Sequence, residues 1–231
     1  MGFAATAIVF GFFSLLLWLT VAAVIPWLCD AYGISSIFGW YLSGTAVVLA
    51  PILMFGSAMT WLELPAPTLS EWRTRLRLFP INRGDAVWAI VGLLVTVIAS
   101  AAILALARHL DPSFRPSPSF LVQSPGWNTP VFAGWIPLFV TNILGEELCW
   151  RGYVLPRQEA AWGRAAWLGN GVPWCLFHWS LGWPILVMLL PITLLLPWIV
   201  QRRRNTSVGI VIHAVFNAAG FVLAASALDA S

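Results

Sequence analysis

Long apolar runs recur along nearly all of the 231 residues of this chain, and they limit what it can fold into. A bilayer core of about 30 Å is crossed by about 20 apolar residues in a helix. That criterion predicts seven spans, at about 3–28, 38–62, 86–107, 131–154, 163–181, 184–200 and 205–228. The fifth and sixth are separated only by Ser180, Leu181, Gly182, Trp183 and Pro184. Charged residues make up 9% of the chain and the mean hydropathy is +0.85, whereas a soluble domain carries about 25% charged residues. The expected fold is therefore all-α: one polytopic membrane bundle over 1–231. Spans within 1–110 frame the bundle and those within 131–228 form its core.

Charge placement sets the orientation. All twelve basic residues are arginine. Arg73, Arg75, Arg77 and Arg83 fall between spans two and three, Arg157 and Arg164 between four and five, and Arg202, Arg203 and Arg204 between six and seven. The opposite loops hold only Arg108 and Arg115. Because positive residues stay cytoplasmic, the N-terminus is expected inside, in a multi-pass protein of the cell membrane. The basic, amphipathic segment from Ser70 to Gly84 is expected to lie along the inner headgroups. The loop from Asp111 to Pro130, with five prolines, is expected to be irregular. Trp27, Trp40, Trp61, Trp88, Trp183 and Trp198 fit an aromatic belt at the span ends.

Other signals are weaker. Cys29, Cys149 and Cys175 are odd in number and lack paired spacing, so they are expected to be buried small hydrophobes rather than a disulfide framework. The N-terminal Met-Gly-Phe-Ala-Ala-Thr fits a myristoylation pattern, but the same residues open a long apolar run. No basic segment precedes that run, so a cleaved signal peptide is not expected.

An ionisable residue inside a span costs about 2.5–3.5 kcal/mol on insertion scales, which makes it a functional candidate. Here such residues cluster late in the chain. Span four holds Glu146, Glu147 and Arg151, preceded by Thr141 and Asn142; span five holds Asn170 and His178; span seven holds His213 and Asn217. Glu147 and Arg151 are four apart and can form an ion pair on one helix face. Glu146 lies about 100° further round and can point into a cavity. His213 and Asn217 are likewise four apart. Taken singly, each could be a hydrogen-bonded structural residue. Together they bring a carboxylate, two imidazoles and an amide toward one interior.

Those residue types suit hydrolysis. A buried carboxylate can take a proton from water, imidazole can orient that water or protonate a leaving amine, and amide or imidazole N–H groups suit a developing oxyanion. Two imidazoles and a carboxylate could instead bind zinc, although the His-Glu-x-x-His helix of common zinc peptidases is absent. There is no Ser–His–Asp or Cys–His arrangement and no phosphate-cradling loop. The basic patches lack the setting for nucleic acid.

At these residues the chain resembles the CAAX-protease and bacteriocin-processing (CPBP, or Abi) family of intramembrane endopeptidases. Three motifs match in order: Glu146-Glu147-Leu148-Cys149-Trp150-Arg151, then Trp174-Cys175-Leu176-Phe177-His178, then His213-Ala214-Val215-Phe216-Asn217. The second departs from the family at its first position, where Trp174 replaces a phenylalanine taken to be a packing residue. The resemblance covers about 132–218. It implies that Glu146 is the general base, aided by His178, that Glu147 partners Arg151, and that His213 and Asn217 form an oxyanion pair. A glutamate-type mechanism without a metal is expected, with zinc dependence as the alternative. The implied substrate is a lipidated, CAAX-like tail or another membrane-associated peptide.

Two readings from other classes compete. An immunity factor or scaffold would keep the pocket without chemistry. A proton-coupled transporter would need a polar path across the whole bilayer, and the outer halves of these spans are too apolar for one. Membrane lipids are expected partners, and the oligomeric state is left open. Depth poses a problem for the site. His178 lies fourteen residues from Arg164, about 21 Å along a helix, whereas Glu146 lies only five from Arg151. A break in span five near Gly169, Gly171 and Pro173 is expected to reconcile them.

Overall fold

The computed structural model describes residues 1–118 and 129–229, with the side chains of 129 and 223–229 left aside. Residues 119–128 of the expected loop lie outside the described residues. Of the rest, 111–118 are irregular, as expected, whereas 129 and 130 already begin a helix. The described residues form an all-α membrane bundle without strands.

Helix α1 is Phe3–Tyr32 and α2 is Ser36–Leu62. A short surface helix, α3, is Leu69–Arg75, and α4 is Arg83–Leu110. Helix α5 runs over 129–162: an α-helical part Thr129–Glu146, a π-helical part Glu147–Val154 and a last α-helical part Leu155–Trp162. Then come α6, Ala166–Phe177, α7, Trp183–Arg203, and α8, Thr206–Asp229. Among the described residues, five apolar helical stretches are long enough to cross a membrane, and the one over Pro130–Leu181 contains both α5 and α6.

The expected inner end is tied together by its charges. Arg77 makes a two-pronged ion pair with Glu159 at 2.8 and 2.7 Å. Arg203 binds Asp85 at 2.8 Å, and Arg157 binds Glu63. The N-terminal amine donates to the Arg157 carbonyl, so the chain starts at this same end. Here α3 is exposed except at the half-buried Trp72, whose indole donates to the Ser57 carbonyl at 3.1 Å, and Leu76, just after it, is fully buried. Trp27, Trp61 and Trp183 are exposed as a belt requires, but Trp40 is half-buried and turned inward. The cysteines are free, with Cys149 and Cys175 buried.

The expected break in span five does not occur. Helix α6 runs straight through Gly169, Gly171 and Pro173. Proline removes one backbone donor and so frees the carbonyl four residues earlier, which here belongs to Gly169. The Gln158 amide donates to that carbonyl at 2.8 Å, and the helix need not bend. The glycines serve contact instead. A Cβ on Gly171 would sit 2.3 Å from the Thr193 carbonyl oxygen of α7.

The depth problem has a different answer. Arg151 does not mark the membrane surface; it is fully buried, and α5 continues to Trp162 before the chain turns back. The twelve residues of α6 then rise about 18 Å, which is too short to cross a bilayer. They end where His178 is needed. Ser14 of α1 donates to the Phe177 carbonyl at 3.2 Å and braces this end.

Candidate active site

Three helices deliver the site. The Glu146 carboxylate, at the end of the α-helical part of α5, is 1% exposed. Its Oε1 accepts from the Asn142 amide at 2.6 Å, one turn earlier. Its Oε2 accepts from the indole N–H of Trp174 on α6. Each carboxylate oxygen retains a further acceptor site, and Glu146 lines a cavity.

Glu147 faces the other way. Its Oε1 lies 2.9 Å from His213 Nδ1 and 3.3 Å from Arg151 Nη1. The ion pair with Arg151 is thus the one expected from spacing. The arginine also stacks over the Trp174 ring at 3.5 Å, so it meets a charge on one side and a π face on the other. Helix α8 comes close enough because residue 209 is glycine: a Cβ there would lie 2.5 Å from Glu147 Oε2.

Hydrogen bonds fix the imidazoles. A carbonyl and a carboxylate can only accept, so each ring nitrogen facing one carries the proton. His178 therefore donates from Nδ1 to the Trp174 carbonyl at 2.9 Å and keeps Nε2 as an acceptor. His213 donates from Nδ1 to Glu147, and its Nε2 accepts from the Asn217 amide at 3.2 Å. The same amide donates to Asn142 Oδ1 at 2.8 Å. A continuous chain of hydrogen bonds thus runs from Glu147 through His213, Asn217 and Asn142 to Glu146.

Glu146, His178, His213 and Asn217 all line one cavity of about 350 Å³. Asn142 and Trp174 line it too, and Leu17, Trp40, Val48 and Leu49 of the first two helices close its apolar wall. Asn170, the other polar residue of span five, points away. It donates to the Trp150 carbonyl and to Gln158, each at 2.9 Å, in a separate buried cluster that joins α5 to α6.

Three connections are not legible along the chain. Trp174 reads as a packing residue, yet its N–H reaches Glu146. Asn142 carries no role by spacing, yet it donates to the same carboxylate. Helical spacing pairs Glu147 with Arg151 alone, whereas the carboxylate also holds His213. An Asn one turn before the Glu-Glu pair was the available signal for Asn142. The resting hydrogen bonds also engage both amide hydrogens of Asn217, so its expected oxyanion role requires it to exchange a partner.

The zinc alternative calls for a free donor set. Among the described residues no group of three or more His, Cys, Asp or Glu side chains could hold a metal ion. Both nitrogens of His213 are engaged, by Glu147 and Asn217. A zinc ion held by Glu146, His178 and His213 would have to displace the Asn217 amide from His213 Nε2.

Residues 127–219 match the family model described as Type II CAAX prenyl endopeptidase Rce1-like. That segment holds all three motifs, so the resemblance to the CPBP family is shown there, in a family of membrane proteases. No curated protein and no solved structure matched the chain.

Proposed function

We propose that this chain, whose residues 127–219 match the Rce1-like endopeptidase family model, hydrolyses a peptide bond within the membrane by a glutamate-activated water. One observation carries the reading: Glu146, His178, His213 and Asn217, drawn from three helices, line the same cavity. Desolvating four polar groups is costly, and convergence on one reacting centre accounts for that cost better than a scaffold does.

Water placed between Glu146 and His178 Nε2 gives its proton to Glu146 while its oxygen bonds to the scissile carbonyl carbon. Asn217 turns an amide hydrogen toward the resulting oxyanion. His213 joins it when protonated, with Glu147 holding the positive charge. Collapse breaks the C–N bond, and the amine takes the proton back from Glu146. The second proton of the water leaves on the new carboxyl group and passes to the amine, so the products are a carboxylate and an ammonium, and no further reactant is needed.

The substrate class proposed is a membrane-associated or lipidated, CAAX-like peptide, cleaved at the cell membrane. Purified full-length protein in lipid nanodiscs is given a quenched peptide ending in a farnesylated cysteine motif and, separately, a quenched single-span peptide. Wild type cleaves at least one and Glu146→Gln cleaves neither, at unchanged melting temperature. Equal biological activity of a folded Glu146→Ala variant would favour the scaffold. Loss of cleavage with chelator, restored by zinc, would replace the glutamate mechanism with a metal-dependent one.

A further inference from the structure

We infer that Asn142 and Trp174 are positioning residues that clamp the Glu146 carboxylate by both oxygens; this rests on the peptidase reading above. The two donors come from different helices. Asn142 lies one turn earlier on α5 and donates at 2.6 Å to Oε1. Trp174 reaches across from α6 to Oε2.

A buried carboxylate held by one donor can still swing about its terminal torsions. Held by two donors on separate elements, it presents its remaining lone pairs in one direction. That direction is the cavity, which both clamp residues also line.

Packing alone does not explain the tryptophan. A phenylalanine would offer Arg151 a ring and fill much of the same volume. It would leave Oε2 of a 1% exposed carboxylate without this donor, which is costly at a buried site. The indole is itself held in place, stacked by Arg151 at 3.5 Å and met edge-on by His213 at 5.4 Å. Nor is Asn142 a simple cap. Its amide donates to Glu146 while its carbonyl accepts from Asn217 at 2.8 Å. It therefore sets the distance between the base and the amide expected to meet the oxyanion.

The test uses full-length protein in nanodiscs and the peptide the wild type cleaves. Trp174→Phe keeps a ring and removes one donor; Asn142→Leu keeps the size and removes the other. Each is expected to lower kcat about tenfold with KM unchanged, the loss of one hydrogen bond to a charged group. A loss confined to kcat, with KM unchanged, reports on the orientation of the base rather than on the shape of the cavity. Should one variant not fold, the other decides, since each removes a separate donor. Wild-type kcat in a folded variant would overturn the clamp while an inactive Glu146→Gln leaves the peptidase reading standing. Cleavage by Glu146→Gln at the wild-type rate would remove both.

Discussion

His213 presents its Nδ1 to Glu147 Oε1 at 2.9 Å, so the second glutamate of the pair sets the tautomer of an imidazole that arrives from another helix. The same oxygen lies 3.3 Å from Arg151, and neither side chain of that ion pair is exposed. A buried pair broken on one side leaves an uncompensated charge at a cost of about 3–5 kcal/mol. Glu147→Ala and Arg151→Ala are each expected to lower the melting temperature steeply. The double variant should lose less than the sum of the two. A thermal double-mutant cycle in detergent measures the coupling, and additive losses would show that the pair is not energetically linked.

His178 keeps Nε2 as an acceptor toward the cavity because Nδ1 is spent on the Trp174 carbonyl. A group that shares a proton in the transition state contributes about 10²–10⁴-fold. His178→Ala should lose activity on that scale with little change in melting temperature, since the histidine lies just past the end of α6. Single-turnover cleavage is the measurement, and near-wild-type rates would remove His178 from the reaction.

Gln158 has no part in the chemistry, yet it is fully buried. It donates to the carbonyl that Pro173 leaves free and accepts from Asn170 at 2.9 Å. Gln158→Ala orphans both partners, at about 1–3 kcal/mol for each buried polar group. The expected result is a lower melting temperature and weaker protection of α6 in hydrogen exchange. Unchanged exchange at Gly169 to His178 would show that the helix carries the proline without help.

Gly209 leaves room for Glu147, and an added Cβ would fall 2.5 Å from its Oε2. Gly209→Ala should push α8 away from α5, with an overpacking cost of about 1–3 kcal/mol. It should also lengthen the His213–Glu147 bond, so cleavage falls along with stability. Full activity at wild-type melting temperature would mean the helices can part without disturbing the histidine.

Much of the bundle could be read along the chain because apolar length is a local property. The runs opening at Phe3, at the start of the chain, and at Trp183 became helices α1 and α7 with ends close to those expected. The arginines between the runs gathered at one end for the same reason. The Glu147–Arg151 pair was also readable, since residues four apart on a helix meet wherever the helix is placed. Arg151 misled the depth estimate because its burial depends on Trp174, a partner 23 positions further along the chain. Gly169, Gly171 and Pro173 suggested a break because such residues weaken an isolated helix. In the bundle, Gln158 and α7 satisfy what they leave open.

By itself the sequence determined that this chain is a helical membrane bundle and that its ionisable groups lie in the later spans, because hydropathy and helical spacing act over neighbouring residues. Only the tertiary structure decided that α5 extends to Trp162 and that α6 stops at Phe177, so that His178 meets the depth of Glu146. It alone turned Trp174 and Asn142 into donors for that carboxylate and gave Glu147 a histidine to hold. A hydrogen bond between helices depends on their rotation and approach, which close packing across the whole bundle fixes and no short stretch of sequence encodes.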